Sequence, residues 1–239
     1  MAKIITFLSN QKQCGKTTIA FNFANILSHQ NKKILLVNLE LDPTKFLKCF
    51  SKLPKIKNIN QYFSCLTYAK HYQIMFITNH ASIHKTAPTM IDYQKSLIKQ
   101  IRAWSKLFDV IILDGNSIWK SLNISLFNLT DYCFMIYNPN NFVIADITNT
   151  LHELRVAHTD NKKSKIICAV CNMFDQNNNH HVANLLQLKK IFTAPNNLFL
   201  LPVNESLSKI SDRTFSYAQD EAWSDYAIKL NQILKSYRF

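Results

Sequence analysis

Ser9-Asn10-Gln11-Lys12-Gln13-Cys14-Gly15-Lys16-Thr17-Thr18 brings together two lysines, three hydroxyls and one of only two glycines in 239 residues, directly after the apolar run Ile4 to Leu8. A strand that enters a turn and then at once a helix aims backbone N–H groups and the positive end of the helix dipole at one spot, which suits a phosphate. In such a loop Lys16 would reach the β- and γ-phosphates of a nucleotide, and the Thr17 hydroxyl would be a magnesium ligand. Only the second half fits the pattern G-x-x-x-x-G-K-[ST], because Asn10 stands where the first glycine would be. Asn is the best substitute there, since it enters left-handed backbone more easily than other residues with side chains.

Two acidic stretches complete the chemistry. Phe108-Asp109-Val110-Ile111-Ile112-Leu113-Asp114-Gly115-Asn116-Ser117 is an apolar strand ending in a carboxylate and then the second glycine. Asp114 is therefore a candidate to hold magnesium or its water shell, beside a loop able to respond to a γ-phosphate. By itself a buried strand ending in Asp-Gly is equally an ordinary turn; the phosphate loop gives the pairing its weight. Glu40 and Asp42 appear as the strand Ile34 to Val37 runs out, at the carboxyl end where open α/β sheets bind ligands.

Strands are expected at Ile4 to Leu8, Ile34 to Val37, Ile74 to Ile77, the run before Asp114, Cys133 to Tyr137, Ile166 to Cys171 and Leu198 to Leu201. Their continuous apolar character is that of parallel strands covered on both faces. Helical periodicity covers Thr17 to Ser28, Ile91 to Leu107, Trp119 to Leu129, Phe142 to Val156, Val182 to Phe192 and Glu221 to Tyr237. Shorter helical pieces are read at Phe46 to Phe50 and Asn60 to Leu66, and a loop from Thr78 to Thr89. The alternation predicts an α/β fold, a doubly wound and mainly parallel sheet with helices on both faces, as a single domain over 1–239.

Composition narrows the function classes. An apolar content of 47% supports a full core. No apolar run approaches the length of a membrane span, and no signal-peptide pattern opens the chain, so a cytoplasmic setting is expected. Cys168 and Cys171 are three apart in a strand and point to opposite faces, which excludes a redox or zinc pair. His180-His181 lies in an Asn-rich stretch without partner ligands and reads as a solvated loop. The net charge of +13 favours a polyanion, either nucleic acid or an acidic membrane surface. A Lys- and Asn-rich compositional bias, with the charge spread evenly, would give the same total.

The ordered motifs resemble the ParA/MinD group of deviant Walker-A ATPases, P-loop NTPases, over nearly the whole chain. Ser9 to Thr18 is similar to the family's S-G-K-G-G-V-G-K-T-T, and the acids after the second strand to its D-x-D switch. Phe108 to Ser117 is similar to Y-D-x-I-I-I-D-x-P-P-S, Tyr137-Asn138-Pro139 to V-x-x-P, Asn172 to the Asn of V-x-x-N-x, and Leu201-Pro202-Val203-Asn204 to I-P-x-x. The resemblance implies ATP and Mg2+ held by Asn10, Gln11, Lys12, Gln13, Cys14, Gly15, Lys16, Thr17 and Thr18. Thr17 and Asp114 would serve the metal, and Asn172, Pro202, Val203 and Asn204 the adenine. It implies Lys16, Lys12, Glu40 and Asp42 as catalytic candidates, and a homodimer that sandwiches two nucleotides.

It also implies a partition or positioning ATPase acting on nonspecific DNA, associated with the nucleoid and stimulated by a ParB-like or other activating protein. A MinD-like membrane-associated protein is the alternative, since Ile228, Leu230, Ile233, Leu234 and Tyr237 with Lys229, Lys235 and Arg238 give the last helix an apolar side and basic points. The departures support a third reading. Gln11-Lys12-Gln13 stands where the family has Lys-Gly-Gly, so the lysine that crosses to the partner is absent or displaced to Lys12. Asn38 and Glu40 replace both switch aspartates. Such a chain would be a nucleotide-gated scaffold that hydrolyses little.

Overall fold

The computed structural model describes residues 1–40, 56–58, 63–67, 74–79, 90–115, 120–158, 166–194, 197–204 and 224–237. Among these residues nine strands form one sheet: β1 (Lys3–Leu8), β2 (Ile34–Asn38), β3 (Ile56–Asn58), β4 (Phe63–Thr67), β5 (Ile74–Asn79), β6 (Val110–Asp114), β7 (Tyr132–Tyr137), β8 (Ile166–Phe174) and β9 (Leu198–Pro202). Their order is β3-β4-β5-β2-β6-β1-β7-β8-β9. From β5 to β9 all neighbours run parallel, whereas β3, β4 and β5 pair antiparallel at one edge.

All seven expected strands are present. The edge hairpin is a correction: Phe63–Thr67 is strand, where helix was expected over Asn60 to Leu66, and Ile56–Asn58 before it is a further strand. Phe63 and Thr67 are residue types that favour strands, and cross-strand pairing with β5 overrides a helical reading made from short apolar spacing. β5 also runs on to Asn79, into the segment read as loop. Phe46 to Phe50 lies outside the described residues.

Helices are α1 (Lys16–Ser28), α2 (Met90–Trp104), α3 (Lys120–Leu129), α4 (Ile144–His158), α5 (Asn179–Ile191) and α6 (Ser224–Ser236), with a 3-10 turn at Pro139–Asn141. Strand alternation divides the core. Ile34, Leu36, Val110, Ile112, Phe134, Ile136, Cys168 and Val170 meet α1 and α6 on one face. Leu35, Val37, Ile111 and Leu113 meet α2 and α3 on the other, where Cys133, Met135, Ala169 and Cys171 meet α4 and α5. Helices therefore cover both faces of the described sheet.

α1 is buried nearly all round, and Asn22, Asn25 and Ser28 lie inside along with its apolar residues. Phe7 of β1 stacks on Phe134 of β7 at 5.4 Å and meets Phe23 of α1 edge-on at 5.1 Å. Those rings fix the middle of α1 against two adjacent strands, a contribution of about 0.5–1.5 kcal/mol per pair beyond burial.

α6 inserts Tyr226, Leu230, Ile233, Leu234 and Tyr237 into the core against α1 and β9. Ile228, expected on its apolar side, is 52% exposed, and Tyr226 is buried instead. The apolar face of this helix is thus consumed by the fold.

Cys168 and Cys171 do lie on opposite faces, as expected. Burial pushes both thiols up to about 12 from 9.0. A thiol held protonated in the fold but free to ionise when unfolded costs stability as pH rises. Stability is therefore expected to fall between pH 9 and about 12, checked by urea unfolding across that range. At pH 8 the native protein should leave Cys14, Cys133, Cys168 and Cys171, all buried, unlabelled by a thiol reagent that reacts with them in denaturant.

Candidate nucleotide site

The carboxyl ends of β1, β2 and β6 deliver the loop 9–15, Asn38 to Glu40, and Asp114 to one place. β6 lies between β1 and β2 in the sheet, so its last residue faces both. Lys16 Nζ donates to Asp114 Oδ1 at 2.7 Å, to Glu40 Oε1 at 3.0 Å and to the carbonyl of Gly115. Asp114 Oδ2 also accepts from Thr17 Oγ1 at 2.7 Å and from Asn38 Nδ2 at 2.8 Å. Asp114 has no solvent exposure and Lys16 is 5% exposed. Burial pulls the Lys16 pKa down, but the Asp114 and Glu40 carboxylates more than offset it, leaving the ammonium above its ordinary value.

Around this ion pair the backbone is shaped for a close guest. Gly15 caps α1 in the left-handed region at φ 86, with no side chain capping the helix and no acid in its first turn. The positive end of the helix dipole thus lies beside Lys16 without a side-chain cap. Asn172 Nδ2 donates to the Cys14 carbonyl at 2.9 Å, and Tyr226 OH reaches Asn172 Oδ1 at 3.5 Å. A Cβ on Gly15 would lie 2.2 Å from Asn172 Nδ2. Gly115 is equally confined, since a Cβ there would lie 2.8 Å from the Phe7 carbonyl and 2.6 Å from Leu8.

The loop is tied down by side chains where glycines were expected to matter. Asn10 is not in the left-handed region; that conformation falls on Gln13, at φ 57. Asn10 Nδ2 instead donates to the Asp146 carbonyl at 3.0 Å and to Thr150 Oγ1 at 2.5 Å, fastening the loop to α4. Gln11 Oε1 accepts from the Asn138 N–H at 2.7 Å, and its Nε2 donates to the Asn141 carbonyl. Lys12 and Gln13 are exposed, and Thr18 is half-buried.

Left-handed backbone costs a residue with a Cβ about 1–2 kcal/mol, and glycine gives part of that back through a freer unfolded chain. Gln13→Gly is therefore expected to stabilise the protein by about 0.5–1 kcal/mol, measured by denaturant midpoint at unchanged slope.

The predicted residues thus separate. Lys16, Thr17, Asp114 and Glu40 converge, with Asn38 added as an amide on Asp114. Asp42 lies outside the described residues. Pro202 ends β9 and pairs with Phe174, with Val203 exposed beyond it and Asn204 half-buried. Asn172 is 3% exposed and buttresses the loop backbone, a role its spacing did not reveal. Just after it, Met173 takes φ 58 at an irregularity in the β8–β9 register. His180-His181 is not a loop but the first turn of α5, capped by Asn178. His181 is buried, accepting from the Asp175 N–H through Nδ1 at 3.1 Å and facing Asn140 Oδ1 through Nε2 at 2.8 Å. Asn178 is a strong helix cap, and a cap signal competes with the loop reading of an Asn-rich stretch.

The donor set fits a magnesium nucleotide. A hydroxyl and a carboxylate, Thr17 and Asp114, are hard oxygen ligands of the kind magnesium takes together with phosphate oxygens. Asn38 Oδ1 is buried without a hydrogen-bond partner and would accept from a metal-bound water. No group of three His, Cys, Asp or Glu gathers among the described residues to hold a metal on its own. No described helix is long and apolar enough to cross a membrane.

No curated protein sequence matches the chain. Solved structures share its fold over the full length. A plasmid partition protein from Borrelia burgdorferi B31 bound to AMPPNP has TM-score 0.69 and 16% identity, covering 100% of this chain and 99% of that one. A Cyanothece McdA variant in complex with ATP has TM-score 0.74 and 14% identity, covering 100% and 97%. Cobyrinic acid a,c-diamide synthase from Mycobacterium smegmatis with ADP and magnesium has TM-score 0.70 and 16% identity, covering 100% and 96%. Residues 5–214 match the CobQ/CobB/MinD/ParA nucleotide binding domain, and the chain belongs to that family.

Proposed function

We propose that the chain, as one nucleotide-binding unit over 1–239, is an ATP- and magnesium-binding, ParA-like partition or positioning ATPase. It works as an ATP-dependent homodimer on nonspecific DNA in the cytoplasm and is stimulated by a ParB-like or other activating protein. The observation that carries this reading is the meeting of Lys16, Thr17, Asp114 and Glu40 at the end of β1, β2 and β6. When phosphates arrive, Lys16 exchanges its carboxylate partners for them. Thr17 and Asp114 would supply oxygen ligands to a magnesium ion, whose charge would offset that of the phosphates. Glu40, no longer bonded to Lys16, would orient an attacking water. Asn172 supports the loop from beneath, on the side where Pro202, Val203 and Asn204 would meet the base.

The +13 charge suits a polyanion, and DNA is favoured over a membrane as the matrix by α6, whose apolar residues are spent in the core. One observation favours a second reading, a scaffold that binds ATP and turns it over slowly. Gln11, at the position of the family's crossing lysine, is neutral and tied back onto Asn138 and Asn141. Phosphoryl transfer depends on placed charge, so its loss costs rate more than affinity.

Steady-state ATP hydrolysis with magnesium and duplex DNA, run on wild type, Lys16→Ala and Lys12→Ala with nucleotide binding in parallel, separates the two. DNA-stimulated turnover lost in both variants establishes the partition-type ATPase with Lys12 in the crossing role. Tight binding with negligible turnover, indifferent to Lys12, establishes the scaffold.

A further inference from the structure

The helix α2 carries a charged stripe that the nucleotide site does not use. Lys95, Lys99, Arg102 and, in the following turn, Lys106 are spaced by four, three and four residues, which places them on one side of a helix. All four are exposed, and none forms an ion pair among the described residues. The turn keeps the helical path through bonds from Ser105 N to Ile101 O and from Lys106 N to Ala103 O. The opposite side, Tyr93, Leu97, Ile101 and Trp104, is buried on the sheet, so the stripe faces outward and cannot roll inward. Asp92, in the first turn, is the only acid of the helix. The stripe ends near the Lys32-Lys33 turn, where Asp109 binds the Lys33 backbone.

Resting on the DNA reading above, we propose that this face of α2 is the surface that docks the phosphate backbone of duplex DNA. From Lys95 to Lys106 the stripe runs about 16 Å at ~1.5 Å per residue. One DNA strand presents a phosphate every ~3.4 Å, so the stripe spans about five of them. Four cations at this pitch contact phosphates without reading bases, which yields binding without sequence preference. An acidic membrane suits the face less well, because membrane-surface helices insert an apolar side and that of α2 is already in the core. Like charges at such spacing repel one another, so the stripe is not there to hold the helix together.

The test compares wild type, a stripe variant (Lys95→Gln, Lys99→Gln, Arg102→Gln, Lys106→Gln) and a charge-matched control (Lys189→Gln, Lys190→Gln, Lys229→Gln, Lys235→Gln). Binding of a mixed-sequence duplex of about 30 base pairs is followed by fluorescence anisotropy with magnesium and ATP, from about 50 to about 200 mM salt. Vesicles of anionic phosphatidylglycerol are run alongside, and melting temperature and ATP affinity are measured on each variant. The stripe variant is expected to melt no lower than wild type, to keep its ATP affinity, to lose roughly 100-fold in DNA affinity and to reduce the salt slope by about 3–4. The control should stay within about threefold of wild type. An unchanged slope in the stripe variant, a loss confined to the control, or capture by vesicles but not DNA overturns the proposal and leaves the ATPase reading standing. Failure of the wild type to bind DNA even at the lowest salt overturns the DNA reading and the stripe with it. Should the fourfold variant not fold, Lys99→Gln and Arg102→Gln singly must each lower the slope by about one; no change in either rejects the stripe.

Discussion

Lys16→Ala is expected to abolish nucleotide binding and, in ligand-free protein, to lower stability by about 3 kcal/mol. The ammonium is 5% exposed and bonds Asp114, Glu40 and the Gly115 carbonyl, while Asp114 is wholly buried. Removing one member of a buried pair leaves the other charge uncompensated, which costs about 3–5 kcal/mol. The lower end applies, because Thr17 and Asn38 still donate to Asp114. Urea unfolding at neutral pH measures the stability, and calorimetric titration with magnesium ATP measures the binding. A second change separates charge from packing: adding Asp114→Asn to Lys16→Ala should recover much of the stability and none of the binding. A stable Lys16→Ala protein would mean that the ion pair does not hold the ligand-free site together. The pH response has a definite sign. With its pKa raised in the fold above 10.5, Lys16 contributes stability fully below that pH and loses it as pH climbs through the higher, folded value.

Gly15→Ala is expected to destabilise the protein by about 3 kcal/mol and to weaken nucleotide binding at least roughly tenfold. At φ 86 an alanine pays about 1–2 kcal/mol for left-handed backbone. Its methyl would also fall on Asn172 Nδ2, adding about 1–3 kcal/mol of crowding. Moving Asn172 aside is not free, since it would abandon the Cys14 carbonyl that it holds. Combining Gly15→Ala with Asn172→Ala should therefore return the crowding part and keep the backbone part, a coupling of roughly 1–2 kcal/mol in a double-mutant cycle. Strict additivity of the two changes would show that Asn172 does not press on the loop.

These two sites mark the boundary between what was legible in the chain and what was not. The strand ahead of Gly15-Lys16-Thr17, the helix after it and the apolar run into Asp114 are local patterns, and short-range sterics and burial periodicity suffice to read them. The parallel core follows from continuous apolar strands alternating with helices, which have no other way to cover both faces. The edge hairpin was missed because β3 and β4 are short strands whose identity comes from pairing, β4 with β5 and β3 with β4, not from their own composition.

The site's internal contacts depend on residues far apart in sequence: Lys16 and Asp114 are 98 residues apart, Gln11 and Asn138 127, Cys14 and Asn172 158. Residue type named Lys16, Thr17 and Asp114 as chemically apt. It did not reveal that Gln11 is folded back onto the Pro139–Asn141 turn, that Asn172 props the loop, or that Gln13 rather than Asn10 carries the left-handed backbone. A side chain that can hydrogen-bond to several neighbours takes the partner that the packed sheet brings to it. That choice is made by tertiary geometry, because the free energy of a polar contact depends on which groups are buried beside it.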